Sequence, residues 1–176
     1  MTKKTAEIGI LLGSKSDLAL VKKVEEVFSF FDVSWEISIA SAHRTPGDVV
    51  AYVKNAPRRG IKVLIAAAGL SAALPGVVAA HTHLPVVGIP VNAGSIGGLD
   101  ALLSVAQMPP GVPVASVGID GVRNAALFAV RILGLVRSDL AEKLEAWSKK
   151  ESEAVRSSRS GIEGLPCPPD KAFTEE

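Results

Sequence analysis

Six consecutive residues, Ser41-Ala42-His43-Arg44-Thr45-Pro46, place an imidazole, a guanidinium and two hydroxyls at the end of an apolar, β-branched run. A histidine side chain exchanges protons near neutral pH with little tuning. An arginine presents a planar fork of N–H donors that fits phosphate or carboxylate. The stretch therefore reads either as a proton carrier beside an anion clamp, or as a surface turn whose His43 and Arg44 face water. Thr45-Pro46 also reads as a helix start, with Thr45 as N-cap and Pro46 at the first helical position. A second stretch, Gly13-Ser14-Lys15-Ser16-Asp17, lies between a strand-like and a helix-like segment. Its backbone N–H groups and the Ser14 and Ser16 hydroxyls could hold a phosphate at the helix start, and Asp17 could accept from ribose hydroxyls. The same five residues also make an ordinary helix cap, and they lack the Gly-Lys-Ser/Thr ending of a Walker loop. A third stretch, Ala68-Gly69-Leu70-Ser71, holds nothing ionisable, and its small residues suit a pocket wall beside a flat ring.

The segments that must position these residues alternate strictly. Short apolar runs at 7–12, 33–40, 62–67, 85–90 and 112–117 read as buried strands. Helical spacing predicts helices over 18–31, 46–55, 72–82, 99–107 and 124–136, followed by a charged amphipathic helix over 140–155. Five β-α repeats predict a parallel sheet with helices on both faces, in strand order 2-1-3-4-5. That order makes strands one, two and three neighbours, so the three stretches meet at the carboxyl ends of the strands. Residues 1–156 form one expected domain, and 157–176, rich in Ser, Gly, Pro and charge, an expected loosely ordered tail. Asn92 to Gly98, with Gly94, Gly97 and Gly98, reads either as a loop folded over a ligand or as plain turns.

Composition narrows the function. A net charge of +1 without a basic cluster, and 5% aromatic residues, give little support for nucleic-acid binding. No run approaches the ~20 apolar residues of a membrane span. The start of the chain leaves no room for a signal peptide, and the single cysteine, Cys167, fits a reducing compartment, so a cytoplasmic location is expected. His81 and His83 do not share a helix face and have no carboxylate or thiol nearby, so no metal site is expected. The third, fourth and fifth helices are apolar around most of their circumference, which predicts a homo-oligomer.

Taken in order, these stretches and others resemble the PurE family of purine biosynthesis. The further matches are Ala73-Leu74-Pro75-Gly76, Pro85 to Val91, Gly98 to Ser104, Gln107-Met108-Pro109, Gly111 to Ala115 and Asn124-Ala125-Ala126-Leu127. The resemblance spans residues 8–135. It implies a flavodoxin-like three-layer αβα sandwich, commonly an octamer, without metal or organic cofactor. It implies conversion of N5-carboxyaminoimidazole ribonucleotide to the 4-carboxy isomer by loss and recapture of CO2, so the expected small-molecule partners are a ribonucleotide and CO2. In that picture His43 is the proton carrier, Ser14, Asp17 and Arg44 bind the nucleotide, Ser16 and Ser41 assist, and Gly69 and Ser71 belong to the wall. The chain departs from the family stretch Ala-Gly-Ala-Gly-Gly-Ala-Ala-His-Leu-Pro-Gly at residues 66–76, where Leu70 replaces a glycine and Ala73 the second histidine. Two alternatives accompany the mutase. One is direct carboxylation of aminoimidazole ribonucleotide by CO2, a branch that often carries Lys in place of Arg44. The other is a flavodoxin-like nucleotide-binding module without catalysis. A phospho-receiver would need an acidic cluster that Asp17 alone does not supply, and a flavin binder would need aromatics that the three corners lack.

Overall fold

The computed structural model describes residues 5–162 and 164–173. Five parallel strands form one sheet: β1 (Ile8–Leu12), β2 (Trp35–Ile39), β3 (Val63–Gly69), β4 (Val86–Val91) and β5 (Ala115–Ser116), in the order β2-β1-β3-β4-β5. The order is the one expected. Among the described residues six α-helices surround the sheet: α1 (Val21–Phe31), α2 (Pro46–Asn55), α3 (Leu74–Ala79), α4 (Leu99–Ala106), α5 (Val122–Gly134) and α6 (Ser138–Ser157). No helix among the described residues is long and apolar enough to cross a membrane.

Strand alternation sorts the core into two layers. On β3, Val63, Ile65 and Ala67 face α1 and α5, where Val24, Val27, Phe28, Ala126 and Val130 complete a cluster. Leu64, Ala66 and Ala68 face the other way, against Val49 and Val53 of α2, Leu74 and Val78 of α3, and Val105 of α4. Because both sides of β3 are covered, its residues are apolar without interruption, as a central parallel strand requires. The long helix α6 docks on α1 through Trp147, whose ring lies 4.9 Å from Phe30 and 5.6 Å from Phe31, while Lys143 Nζ donates to the Phe31 carbonyl at 3.1 Å.

Several boundaries differ from expectation. The turn after β1 continues as a 3-10 helix over Lys15–Leu20 before α1 begins. The third helix has six residues and starts at Leu74, because the turn at Leu70 and Ala72 has positive φ angles that no α-helix admits. β5 keeps only two residues: it pairs with β4 alone, through Val87↔Ala115 and Gly88↔Ser116, and Pro113 lacks the N–H needed to extend the ladder. Beyond α6 the described residues of the C-terminal segment make two 3-10 turns, Ser158–Ile162 and Asp170–Phe173.

Phe28 is fully buried between α1 and the sheet and lies 6.0 Å from the Trp35 ring. Phe28→Ala is expected to lower unfolding free energy by about 3–5 kcal/mol, measured by urea denaturation; a loss under about 1 kcal/mol would show that the surrounding side chains collapse into the space.

Candidate active site

In the order β2-β1-β3, the loops leaving these strands open at one edge of the sheet. They surround a cleft of about 470 Å3, within the range of small-molecule sites. All the residues singled out beforehand line it: Ser14, Ser16 and Asp17 after β1, Ser41, His43 and Arg44 after β2, and Gly69 and Ser71 after β3. Gly13, Ala42, Ala68, Leu70, Ala72 to Leu74 and Ala93 complete the lining.

Each loop is held by its own hydrogen bonds. Asp17 is nearly buried, and its carboxylate accepts from the Ser14 N–H at 3.1 Å and from Ser16 Oγ at 3.0 Å. It thereby closes the turn after β1. Arg44 bridges two loops: Nη2 donates to the Gly13 carbonyl at 3.2 Å and Nε approaches Ser41 Oγ at 3.4 Å. A guanidinium has five N–H groups, so donors remain for an anion. Thr45 sits at the start of α2 as expected, but its hydroxyl does not cap the helix. It turns back and accepts from the Ser41 N–H at 3.0 Å, closing the Ser41–Thr45 corner on itself. His43 stands exposed on that corner.

The β3 side is shaped by backbone conformation. The Ala72 N–H donates to the Gly69 carbonyl at 3.1 Å, and between them Leu70 takes φ 56°. Gly69 is glycine for a local reason: a Cβ there would stand 2.8 Å from the Ala93 Cβ. The loop carrying Ala93 turns through Gly94, Gly97 and Gly98, all with positive φ. His81, by contrast, is occupied with its own helix, its Nδ1 lying 2.8 Å from the Val77 carbonyl.

The profile of the AIR carboxylase family matches residues 7–154. The chain belongs to this family. N5-carboxyaminoimidazole ribonucleotide mutase of Pyrococcus abyssi is 49% identical over 141 residues, covering 80% of this chain and 81% of that protein. Phosphoribosylaminoimidazole carboxylase of Saccharomyces cerevisiae is 49% identical over 148 residues, covering 84% of this chain but 26% of that protein. The crystal structure of Treponema denticola PurE superposes with a TM-score of 0.80 at 29% identity, over 89% of this chain and 98% of that one. The resemblance read from the sequence is borne out.

Two supports of the cleft had no signal in the sequence. Asp120 takes φ 53°, and its Oδ1 accepts the Asn92 N–H at 3.0 Å, fixing the start of the glycine loop. On the β2–α2 side, Tyr52 donates to Glu36 Oε1 at 2.8 Å. Arg59 pairs with the same carboxylate at 2.6 Å and lies over the Tyr52 ring at 4.7 Å. This triad fastens α2 to β2, and so fixes both flanks of the corner that carries His43 and Arg44. Its carboxylate comes from β2 and its ring and guanidinium from α2 and the turn after it, so no local pattern announces it.

Burial, and then the hydrogen bond to Glu36, push the Tyr52 phenol well above its ordinary value of 10.0. A folded-state value above the unfolded one contributes stability that is present below the unfolded pKa and is lost as pH rises past it. Wild-type stability is therefore expected to fall progressively as pH rises above about 10, and the Tyr52→Phe variant to fall less steeply. Parallel urea titrations check this; equal slopes would remove Tyr52 from the alkaline transition.

Proposed function

We infer that this chain acts in purine biosynthesis and converts N5-carboxyaminoimidazole ribonucleotide to 4-carboxyaminoimidazole ribonucleotide. The observation that carries the reading is a single cleft joining Arg44, Asp17 and His43 in a chain that matches named mutases over most of both lengths. The nucleotide's phosphate sits against the Ser14–Ser16 turn and the free N–H groups of Arg44, and its ribose faces Asp17. The imidazole ring of the substrate lies across the Gly69–Ser71 wall beside His43.

The chemistry needs no redox partner. The carbamate N–C bond breaks, its electron pair returns to the exocyclic nitrogen, and that nitrogen takes up a proton. CO2 is released inside the cleft. Ring carbon 4 then attacks CO2, and its own proton leaves. One proton is taken up and one is given off, so a single imidazole can serve both steps: His43 donates as the imidazolium and accepts as the neutral base. The small, uncharged wall at Ala68, Ala72 and Ala73 presents CO2 with no nucleophile of its own.

The same reading includes self-association, as an octamer in the cytoplasm. Leu99, Leu103 and Phe128 of α4 and α5 are 52%, 51% and 41% exposed, apolar surface that self-association would bury. A light-scattering mass equal to one chain would overturn the assembly. Direct carboxylation is the second reading, favoured by the yeast relative's name.

Two assays separate them. One offers freshly made N5-carboxyaminoimidazole ribonucleotide without bicarbonate, the other aminoimidazole ribonucleotide with CO2. Product in the first at low enzyme is expected; turnover only in the second would make the chain a carboxylase. In the productive assay, His43→Asn should abolish turnover while leaving nucleotide binding within about tenfold, and Arg44→Ala should chiefly weaken binding. More than a tenth of wild-type activity in His43→Asn, or unchanged affinity in Arg44→Ala, would overturn the respective role.

A further inference from the structure

Leu70 is an anomaly in the cleft wall. Its φ of 56° lies in the left-handed region, where an L side chain crowds its own backbone and glycine would relieve the strain. Core packing does not explain a leucine there, because the residue is 54% exposed. The isobutyl group is nevertheless braced. It seats against Gly94, where an added Cβ would stand 2.8 Å from Leu70 Cδ2. Gly94 itself takes φ 77°, so the notch is open in both space and conformation. The loop bearing that notch is pinned at its base by the Asp120 carboxylate on the Asn92 N–H, and the Asp120 N–H donates in turn to the Pro90 carbonyl at 2.9 Å. A strained, half-exposed apolar side chain is thus held at a defined place on the cleft's rim, with Ser71 and Ala93 beside it.

We propose that Leu70 is a positioning residue that retains CO2 in the cleft between its release from nitrogen and its capture by carbon 4. The inference rests on the mutase reading. CO2 at that stage is small, neutral and unattached, so its escape competes with the new bond. When it escapes, the exocyclic nitrogen keeps the electron pair and the proton, and aminoimidazole ribonucleotide is left behind. An isobutyl group at the rim narrows the opening and keeps out the water that would carry CO2 away. A bare glycine at the same place does neither, and would cost the backbone less.

The test uses the full chain as wild type and as Leu70→Gly, Leu70→Ala and Leu70→Met. Each is given N5-carboxyaminoimidazole ribonucleotide in buffer containing 13C-bicarbonate and carbonic anhydrase. Two quantities are read: aminoimidazole ribonucleotide released per 4-carboxy product, corrected for decay without enzyme, and the 13C content of the product. Leu70→Gly and Leu70→Ala are expected to raise both at least fivefold, and Leu70→Met to stay within twofold of wild type. The melting temperature of Leu70→Gly should not fall, since glycine relaxes the turn; should it fall, Leu70→Ala decides the matter. Ratios within twofold of wild type in the truncated variants would overturn the retention role while leaving the mutase assignment intact. A wild-type chain that makes no product would overturn the reaction itself, and with it the role of Leu70.

Discussion

β1 is hydrogen-bonded on both sides, to β2 through Ile8↔Trp35 to Leu12↔Ile39 and to β3 through Ile8↔Val63 to Leu12↔Ala67. Everything at the site depends on that double pairing. The chain leaves β1 toward one edge of the sheet and later returns to β1's other side, so the loops after β1 and β3 diverge and open a crevice between them. The backbone there cannot fill the crevice, because each strand end is committed to its own crossover. Side chains from three loops, separated by dozens of residues in sequence, therefore face one space.

Within that frame the site is held mainly by short-range hydrogen bonds, with few long-range ties. Asp17 closes the first loop, Thr45 the second, and the Gly69–Ala72 turn the third. Arg44 is the exception, crossing from the second loop to the Gly13 carbonyl of the first. One residue thus ties two loops together with only part of its five-donor fork. An arginine suits this bridging because its fork is rigid and always charged. The β3 side is organised differently, by backbone angles and by contact between small residues, which leaves that wall apolar.

Much of this was legible in the chain. Uninterrupted apolar runs marked the central strands because both faces of the sheet are covered. The spacing of Gly13–Asp17, Ser41–Pro46 and Ala68–Ser71 relative to those runs placed them at strand ends. The cleft residues could be named as candidates because a histidine beside an arginine and a glycine-serine turn at strand ends are local patterns; the family resemblance, not the patterns, suggested their roles. The extent of β5 was not legible: an apolar run predicts burial, but pairing depends on the partner β4 and on the missing N–H of Pro113. Nor was the hydroxyl of Thr45, whose choice between the helix and Ser41 is settled by the path of the corner.

The amino-acid sequence by itself determined the strand order, the three loops that meet and the chemical types that line the cleft. Periodicity and local propensity act over a few residues, and the topology of alternating strands and helices leaves few alternatives. Only the tertiary structure decided how those groups are braced. The Tyr52–Glu36–Arg59 triad, the Asp120 carboxylate on the Asn92 amide and the seat of Leu70 at Gly94 each join residues that touch only after the sheet has formed. Such contacts depend on distances and backbone angles between segments, and no spacing along the chain encodes them.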